Sequence, residues 1–185
     1  KGEPEKILSS ENDESHQLVE EFMLLANETV AKHIRNKKLK AIFRVHPEPD
    51  LENLDELRNF VALFGISCGE LTSRKEINKL LFNINQHPLS QVLRIKFLRS
   101  MKQACDRDAP DGHYGLAKKD YLHFTSPIRR YSDLVVHRAV EDWLHKEKRK
   151  AKASQESLAK HLSSTERNSV DAERESVNDK LLLYY

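Results

Sequence analysis

The stretch Tyr121–Arg138 constrains this chain more than any other, because a run suited to extended backbone leads directly into a helix-start signal. The aromatic and β-branched residues of 121–125 predict a short strand. Ser126 can cap a helix, and Pro127 is tolerated in a first helical turn, where a missing N–H costs nothing. We therefore predict a helix that begins at Pro127 and ends near Lys150.

Two arginines, Arg129 and Arg130, fall in the first turn of that predicted helix. Cations there oppose the helix dipole, which favours negative charge at a helix N-terminus. Backbone N–H groups, the hydroxyls of Thr125 and Ser126, and two guanidinium groups would together form a phosphate site. The segment therefore indicates an anion-binding site.

A second interpretation is an ion pair within the helix. Asp133 lies four residues after Arg129 and three after Arg130, and both spacings bring side chains together on a helix. The residues leave both interpretations open. One carboxylate cannot neutralise two arginines, which favours an external anion.

Composition narrows the class of protein. Hydrophobic residues make up 38% and charged residues 32%, with only five glycines, which is typical of a soluble, helix-rich globular protein. A formal net charge of +2 is too small to indicate nucleic-acid binding by itself. Two cysteines without a Cys-x-x-Cys pair give no zinc pattern, and no apolar run reaches the length of a membrane span. We expect a cytoplasmic protein without a membrane partner.

Hydrophobic periodicity predicts an α+β fold, predominantly helical with a few short strands. The predicted helices cover residues 14–35, 51–64, 74–85, 89–105, 127–150 and a last segment that begins after Ser154 or Ser157 and ends near Asp179. The predicted strands cover residues 5–8, 41–45, 113–117 and 121–125.

Two glutamates stand out within these helices. Glu20 borders the continuous apolar run 22–26, which we expect to be buried nearly all round, and Asn27 lies on its face seven residues later. A carboxylate beside such a run is either functional or paired with a lysine or arginine elsewhere. Glu173 lies on the sparse apolar stripe of the last helix.

The chain contains five motifs, namely Leu-Val-Glu-Glu-Phe-Met-Leu-Leu-Ala-Asn at 18–27, Phe-Arg-Val-His-Pro at 43–47, His-Tyr-Gly-Leu-Ala at 113–117, His-Phe-Thr-Ser-Pro-Ile-Arg-Arg-Tyr-Ser-Asp at 123–133 and Val-His-Arg at 136–138. In this order and at this spacing they resemble the motifs of the RNB family, the processive 3′→5′ exoribonucleases of the ribonuclease II and ribonuclease R type, and they are most similar to the ribonuclease R type.

The resemblance implies a catalytic domain that threads single-stranded RNA through a channel and releases nucleoside 5′-monophosphates. In the family, clustered aspartates near the beginning of the domain hold Mg²⁺ in a two-metal site. No such aspartate-rich segment occurs in this chain. We therefore expect residues 1–185 to be the C-terminal half of an RNB-like catalytic domain, truncated at both ends, without metal ligands and inactive alone.

The resemblance also implies roles for single residues. Arg129 would hold a phosphate near the scissile bond, with Thr125, Ser126 and Arg130 also contacting RNA, while Asp133 orients Arg130. Glu173 would be the second catalytic residue and would face the active site near the 3′ nucleotide. Glu20 would accept a hydrogen bond from a ribose 2′-OH.

The expected partners are single-stranded RNA and the remaining domains of the parent polypeptide, and we expect a monomer. The alternative is a noncatalytic helical module that binds RNA or another protein. This noncatalytic alternative would apply if the parent protein lacked the metal-binding aspartates of the family.

Overall fold

The computed structural model describes residues 4–8, 13–146 and 154–185, and within them lie six α-helices and two short strands. This confirms the predominantly helical α+β class. In chain order the elements are α1 (Glu14–Asn36), β1 (Phe43–Val45), α2 (Leu51–Ala62), α3 (Arg74–Gln86), α4 (Ser90–Ser100), β2 (Cys105–Arg107), α5 (Tyr131–His145) and α6 (Gln155–Tyr184).

The chain divides into two compact units. Unit 1 comprises Lys1–Val45 and Cys105–Tyr185, and unit 2 comprises His46–Ala104. Unit 2 holds α2, α3 and α4, whose buried side chains include Leu57, Leu80 and Leu93. The prediction that the whole chain is half of one catalytic domain stays a prediction.

Unit 1 is built around an antiparallel pairing of β1 with β2, in which Arg44 lies opposite Asp106. Apolar side chains from α1, β1, the segment before α5, and α5 form its core, namely Ala31, Ile34, Ala41, Phe43, Val45, Leu122 and Val136. The backbone N–H of Asp106 donates to Ser163 Oγ at 2.8 Å, which attaches α6 to β2. α1, β1, the segment before α5 and α5 itself therefore share one hydrophobic core.

Side-chain caps begin three of the helices. Asp13 accepts from the backbone N–H of His16, Ser73 from that of Glu76, and Ser154 from that of Ser157. Such caps satisfy N–H groups that have no partner inside the helix. Of the two predicted caps for the last helix, Ser154 is the one used, and α6 runs beyond the predicted end to Tyr184.

Three of the four predicted strands are wrong. Residues 5–8 form no strand, and residues 113–117 form turns with a single bridge between His113 and Lys118. Residues 121–125 are extended, but only one ladder-like bond joins them to β1, from Arg44 N–H to the carbonyl of Tyr121 at 3.0 Å. An extended segment without a paired neighbour is not a strand.

Two predicted helices have wrong boundaries. The helix predicted over 89–105 ends at Ser100, because Cys105 pairs in β2. The helix predicted from Pro127 begins at Tyr131, because the N–H groups of Arg129 and Arg130 both donate to the carbonyl of Ser126 and close a separate turn. The predicted continuation from 147 to Lys150 lies outside the described residues.

The expected burial of the apolar run 22–26 is also wrong. Phe22 is 63% exposed and Leu25 59% exposed, because α1 enters the core only through its second half, at Asn27, Ala31 and Ile34. Among the described residues, no helix is both long enough and apolar enough to cross a membrane.

Candidate nucleic-acid interface

Asn27 anchors the segment that precedes α5. Its side chain is buried, with 2% of the residue exposed. The amide nitrogen donates to the hydroxyl of Tyr121 at 3.0 Å, and the amide oxygen accepts the backbone N–H of Phe124 at 2.9 Å. One side chain of α1 thus fixes both ends of residues 121–124.

His137 of α5 holds the same segment from the other side. Its Nε2 donates to the carbonyl of Phe124 at 2.8 Å, and its ring stacks on that of Phe124 with centroids 4.1 Å apart. The extended segment is therefore tied to two helices before it reaches the arginines.

Asp133 organises the turn between the extended segment and α5. It is 0% exposed, and its Oδ1 accepts the backbone N–H of Ser126 at 2.8 Å. Arg130 binds the same carboxylate with two nitrogens, each 2.9 Å from a different carboxylate oxygen. The expectation that Asp133 orients Arg130 is confirmed.

Arg129 has a different environment from Arg130. It is exposed, and it forms no salt bridge within the part of the chain that the structure describes. Close by in sequence, Thr125 Oγ1 is buried without a hydrogen-bond partner among those residues. A buried hydroxyl without a partner is costly, and an uncommitted guanidinium suits a phosphate. These are the groups that an anion could use, whereas Arg130 and the Ser126 N–H are already occupied.

A second charged cluster lies where β1, β2 and α6 meet. Arg44 of β1 binds both carboxylate oxygens of Glu166 in α6, at 2.6 and 2.9 Å, and contacts Asp106 of β2 at 3.2 Å. Burial raises the pKa of Asp106, and the adjacent guanidinium of Arg44 partly offsets that effect. This cluster joins both strands to α6, and nothing in the sequence pattern predicted it.

His123 lies within the influence of both clusters. Its burial, and then the charges of Arg130 and Arg44, lower its pKa from 6.5 to about 3. Two guanidinium groups and a desolvated site both disfavour a further positive charge. His123 is therefore neutral at physiological pH.

The two predicted glutamates lie outside these contacts. Glu20 is exposed on the first half of α1, and Glu173 is exposed on α6, seven residues beyond Glu166. Within the described residues neither forms a salt bridge, so the alternative that Glu20 pairs with a basic residue finds no support there. The acidic residue of α6 that binds a residue of the sheet, Arg44 of β1, is Glu166. The functional roles of Glu20 and Glu173 stay predictions.

No group of three or more His, Cys, Asp or Glu side chains that could hold a metal occurs among the described residues. The carboxylates of Asp106, Asp133 and Glu166 are all bound to arginines. These side chains do not fit the ligand set that Mg²⁺ requires, which consists of carboxylates with open oxygens and retained water.

The sequence model of the RNB domain matches residues 1–146. The match covers the motif and both strands of unit 1. The chain therefore belongs to the RNB domain family.

Its relatives with similar sequences include ribonucleases R. Ribonuclease R 1 of Lactococcus lactis subsp. lactis (strain IL1403) is 38% identical over 184 residues, which cover 95% of this chain and 22% of the relative. Ribonuclease R of Escherichia coli (strain K12) is 39% identical over 145 residues, which cover 77% of this chain and 18% of the relative. The chain thus spans about a fifth of the length of these relatives.

Solved structures agree with this assignment. Mycoplasma genitalium RNase R in its apo form matches with a TM-score of 0.87 at 27% identity, over 95% of this chain and 29% of that one. The same protein in complex with ribose methylated single-stranded RNA gives a TM-score of 0.84 at 26% identity, with the same coverage. Yeast Ssd1, described as a pseudonuclease, gives 0.66 at 27% identity over 81% of this chain and 19% of that one.

Replacement of Arg129 and replacement of Arg130 should have different effects on the free energy of unfolding. Arg130→Ala should lower the free energy of unfolding by about 2–3 kcal/mol, because it leaves the buried charge of Asp133 uncompensated. Arg129→Ala should change it by less than about 0.5 kcal/mol, because the side chain is exposed and forms no salt bridge among the described residues. Urea unfolding followed by circular dichroism measures both. Equal losses would show that Arg129 also supports the fold.

His123 should make stability depend on pH. Since its pKa is about 3 when folded and 6.5 in the unfolded chain, the unfolded state takes up the proton first as pH falls. The contribution of His123 is complete above pH 6.5 and is lost progressively below it, by at most about 1.4 kcal/mol per pH unit.

The measurement compares the native protein with His123→Gln by urea unfolding at several pH values between 7 and 4. His123→Gln removes this one titrating side chain and leaves in place the charged groups that act on it, Arg130, Arg44, Asp133 and His113. The difference between the two curves should therefore report His123. Parallel curves would contradict the assigned pKa.

Proposed function

We propose that this chain is part of a processive 3′→5′ exoribonuclease that hydrolyses single-stranded RNA to nucleoside 5′-monophosphates. Within that enzyme the chain would supply phosphate and ribose contacts. Membership of the RNB family and the similarity to ribonucleases R support the proposal. We also propose that the whole protein acts as a cytoplasmic monomer.

The observation that supports the proposal most directly is that only one of the two arginines is paired with Asp133. Asp133 binds Arg130 through both of its oxygens, which leaves Arg129 exposed and without a salt bridge among the described residues. A guanidinium in this position can donate two parallel hydrogen bonds to a phosphate. Such a contact can stabilise charge that develops at a phosphoryl centre. Arg129 is therefore the proposed catalytic residue, with Thr125 and Ser126 beside it.

The other contacts are proposed on the resemblance alone. Glu20 would accept a hydrogen bond from a ribose 2′-OH, which distinguishes RNA from DNA, and Glu173 would lie near the 3′ nucleotide. Mg²⁺ is the proposed cofactor of the whole enzyme. Its ligands would lie outside this chain, so we assign no catalytic step to the metal here.

A noncatalytic module is the second candidate, and one observation favours it. The fold is similar to that of yeast Ssd1, which is described as a pseudonuclease. An RNB-type scaffold that keeps an RNA contact without catalysis would explain the same geometry around Arg129. The presence or absence of closely spaced aspartates in the preceding part of the parent protein discriminates the two candidates.

RNA binding by this chain should depend on Arg129. Arg129→Ala should weaken binding of a short single-stranded oligoribonucleotide about five- to tenfold at low salt and should reduce the salt dependence by roughly one phosphate contact. Fluorescence anisotropy measures both quantities. Arg94→Ala is the matched control, because Arg94 is an exposed arginine of unit 2 whose Nε donates to Asn85. Equal losses in both variants would contradict a specific site at Arg129.

Catalysis should require the rest of the protein. This chain alone should leave labelled oligoribonucleotides intact in the presence of Mg²⁺, whereas a full-length protein that contains it should degrade them from the 3′ end. In the full-length protein, Arg129→Ala should lower kcat by about a hundredfold or more with a much smaller change in RNA affinity. Degradation by the chain alone would overturn the placement of the metal ligands. An inactive full-length protein would favour the noncatalytic module.

A further inference from the structure

The turn that carries Arg129 also carries a fully exposed isoleucine. Ile128 has a relative exposure of 102%, although isoleucine is among the residue types most often buried. Three residues on, Tyr131 is 48% exposed at the first position of α5. Two large apolar side chains therefore reach solvent on either side of the proposed phosphate contact.

The exposure of Ile128 belongs to a fixed turn rather than to a loose loop. The N–H groups of Arg129 and Arg130 donate to the carbonyl of Ser126, at 3.3 and 3.0 Å, and the Ser126 N–H donates to the buried Asp133. A turn held at both of its ends presents its tip in one orientation. The hydrogen bonds of the turn therefore keep the Ile128 side chain exposed to solvent.

Tyr131 is also held in place. Arg138, two turns further along α5, donates from Nη1 to the Tyr131 hydroxyl at 3.3 Å, and its guanidinium carbon lies 5.8 Å from the ring centroid. The guanidinium thus orients the ring by a hydrogen bond and a cation–π contact. Arg138 forms no salt bridge with any residue that the structure describes.

Along the sequence, the exposed residues Ile128, Arg129, Tyr131 and Arg138 alternate between large apolar and positive side chains. Single-stranded nucleic acid is bound by such a combination, in which bases stack on aromatic side chains and cations follow the backbone. Arg129 and Tyr131 are two residues apart, so their Cα atoms lie within about 7.6 Å. One nucleotide, or two neighbouring ones, can contact both.

We propose that Ile128 and Tyr131 form an apolar platform for a nucleotide whose phosphate is bound by Arg129, and that Arg138 is the positioning residue for the Tyr131 ring. This inference rests on the proposed function, since it takes the occupant to be single-stranded RNA. Charge complementarity selects that occupant over an apolar protein partner, because Arg129 and Arg138 are exposed and form no salt bridge with any residue that the structure describes.

The test separates contact with the base from contact with the backbone. Two fluorescent probes of equal length are used at low salt, an oligoadenylate and an oligoribonucleotide without bases. The variants are Tyr131→Leu, Tyr131→Phe, Ile128→Ala and Arg129→Ala. Tyr185→Leu and Leu63→Ala are the matched controls, because these side chains are 94% and 82% exposed and lie outside the motif. Thermal unfolding verifies that each variant is folded.

Tyr131→Leu should weaken binding of oligoadenylate about tenfold and leave the baseless probe within about twofold, because stacking requires a base. Ile128→Ala should act in the same direction with a smaller effect, and Tyr131→Phe should retain most of the affinity. Arg129→Ala should weaken both probes equally. If Tyr131→Leu unfolds the chain, Ile128→Ala supplies the same comparison between the two probes.

Each other result contradicts a defined claim. Equal losses on both probes with Tyr131→Leu would overturn the platform and leave the phosphate contact at Arg129 intact. An effect of Arg129→Ala without any effect at Tyr131 and Ile128 would do the same. If the native chain binds neither probe, the proposed RNA contact fails and the platform fails with it. Losses as large in the control variants would show that binding is nonspecific.

Discussion

The carboxylate of Asp133 is fully buried, and the geometry of the motif follows from how its charge is compensated. An unpaired charge in that position would destabilise the fold strongly, so its oxygens must receive donors. Arg130 and the Ser126 N–H supply them. Because these donors come from residues on both sides of the turn, compensating the charge also fixes the turn. Arg129, which lies between them, is directed outward.

In the second cluster, two carboxylates neutralise the positive charge of Arg44. Glu166 and Asp106 bind Arg44, so that guanidinium cannot attract an anion into the interior. His123 adds no charge, because burial and the nearby arginines keep it neutral. Among the described residues of the motif, the positive charge left for a ligand is therefore at the surface, on Arg129 and Arg138. The buried charged groups are therefore paired within the fold, and the arginines without a salt bridge lie at the surface.

The sequence predicted most helices because their signals are local. Periodic apolar residues and the caps Ser73 and Ser154 predicted α2, α3 and α6 close to their observed beginnings. The start of α5 was missed because Ser126 and Pro127 fit both a helix and a separate turn, and the distinction depends on Asp133 folding back. Exposure of Phe22 could not be predicted, because periodicity shows which face is apolar without showing whether anything covers it.

The site was predicted in part for a similar reason. Arg129, Arg130 and Asp133 lie within one short motif, so their spacing and the family resemblance together predicted how they share the charge. Arg44 is 62 residues from Asp106 and 122 from Glu166, and no local pattern relates residues at such separations. Asn27 gave a partial signal, since a polar residue next to an apolar run invites a buried hydrogen bond. Its partners, 94 and 97 residues away, could not be inferred.

The pairing of Val45 with Cys105 also bears on the order of folding. All of His46–Ala104 lies between these two neighbours, so unit 2 is an insertion whose two ends leave the sheet side by side. During synthesis the helices of unit 2 emerge completely before β2, α5 and α6 exist. We expect unit 2 to collapse first, which would shorten the loop that β1 must close to meet β2 and reduce its entropic cost. The segment that carries Arg129 would then be among the last parts of the chain to become ordered, after its supports on both sides have been translated.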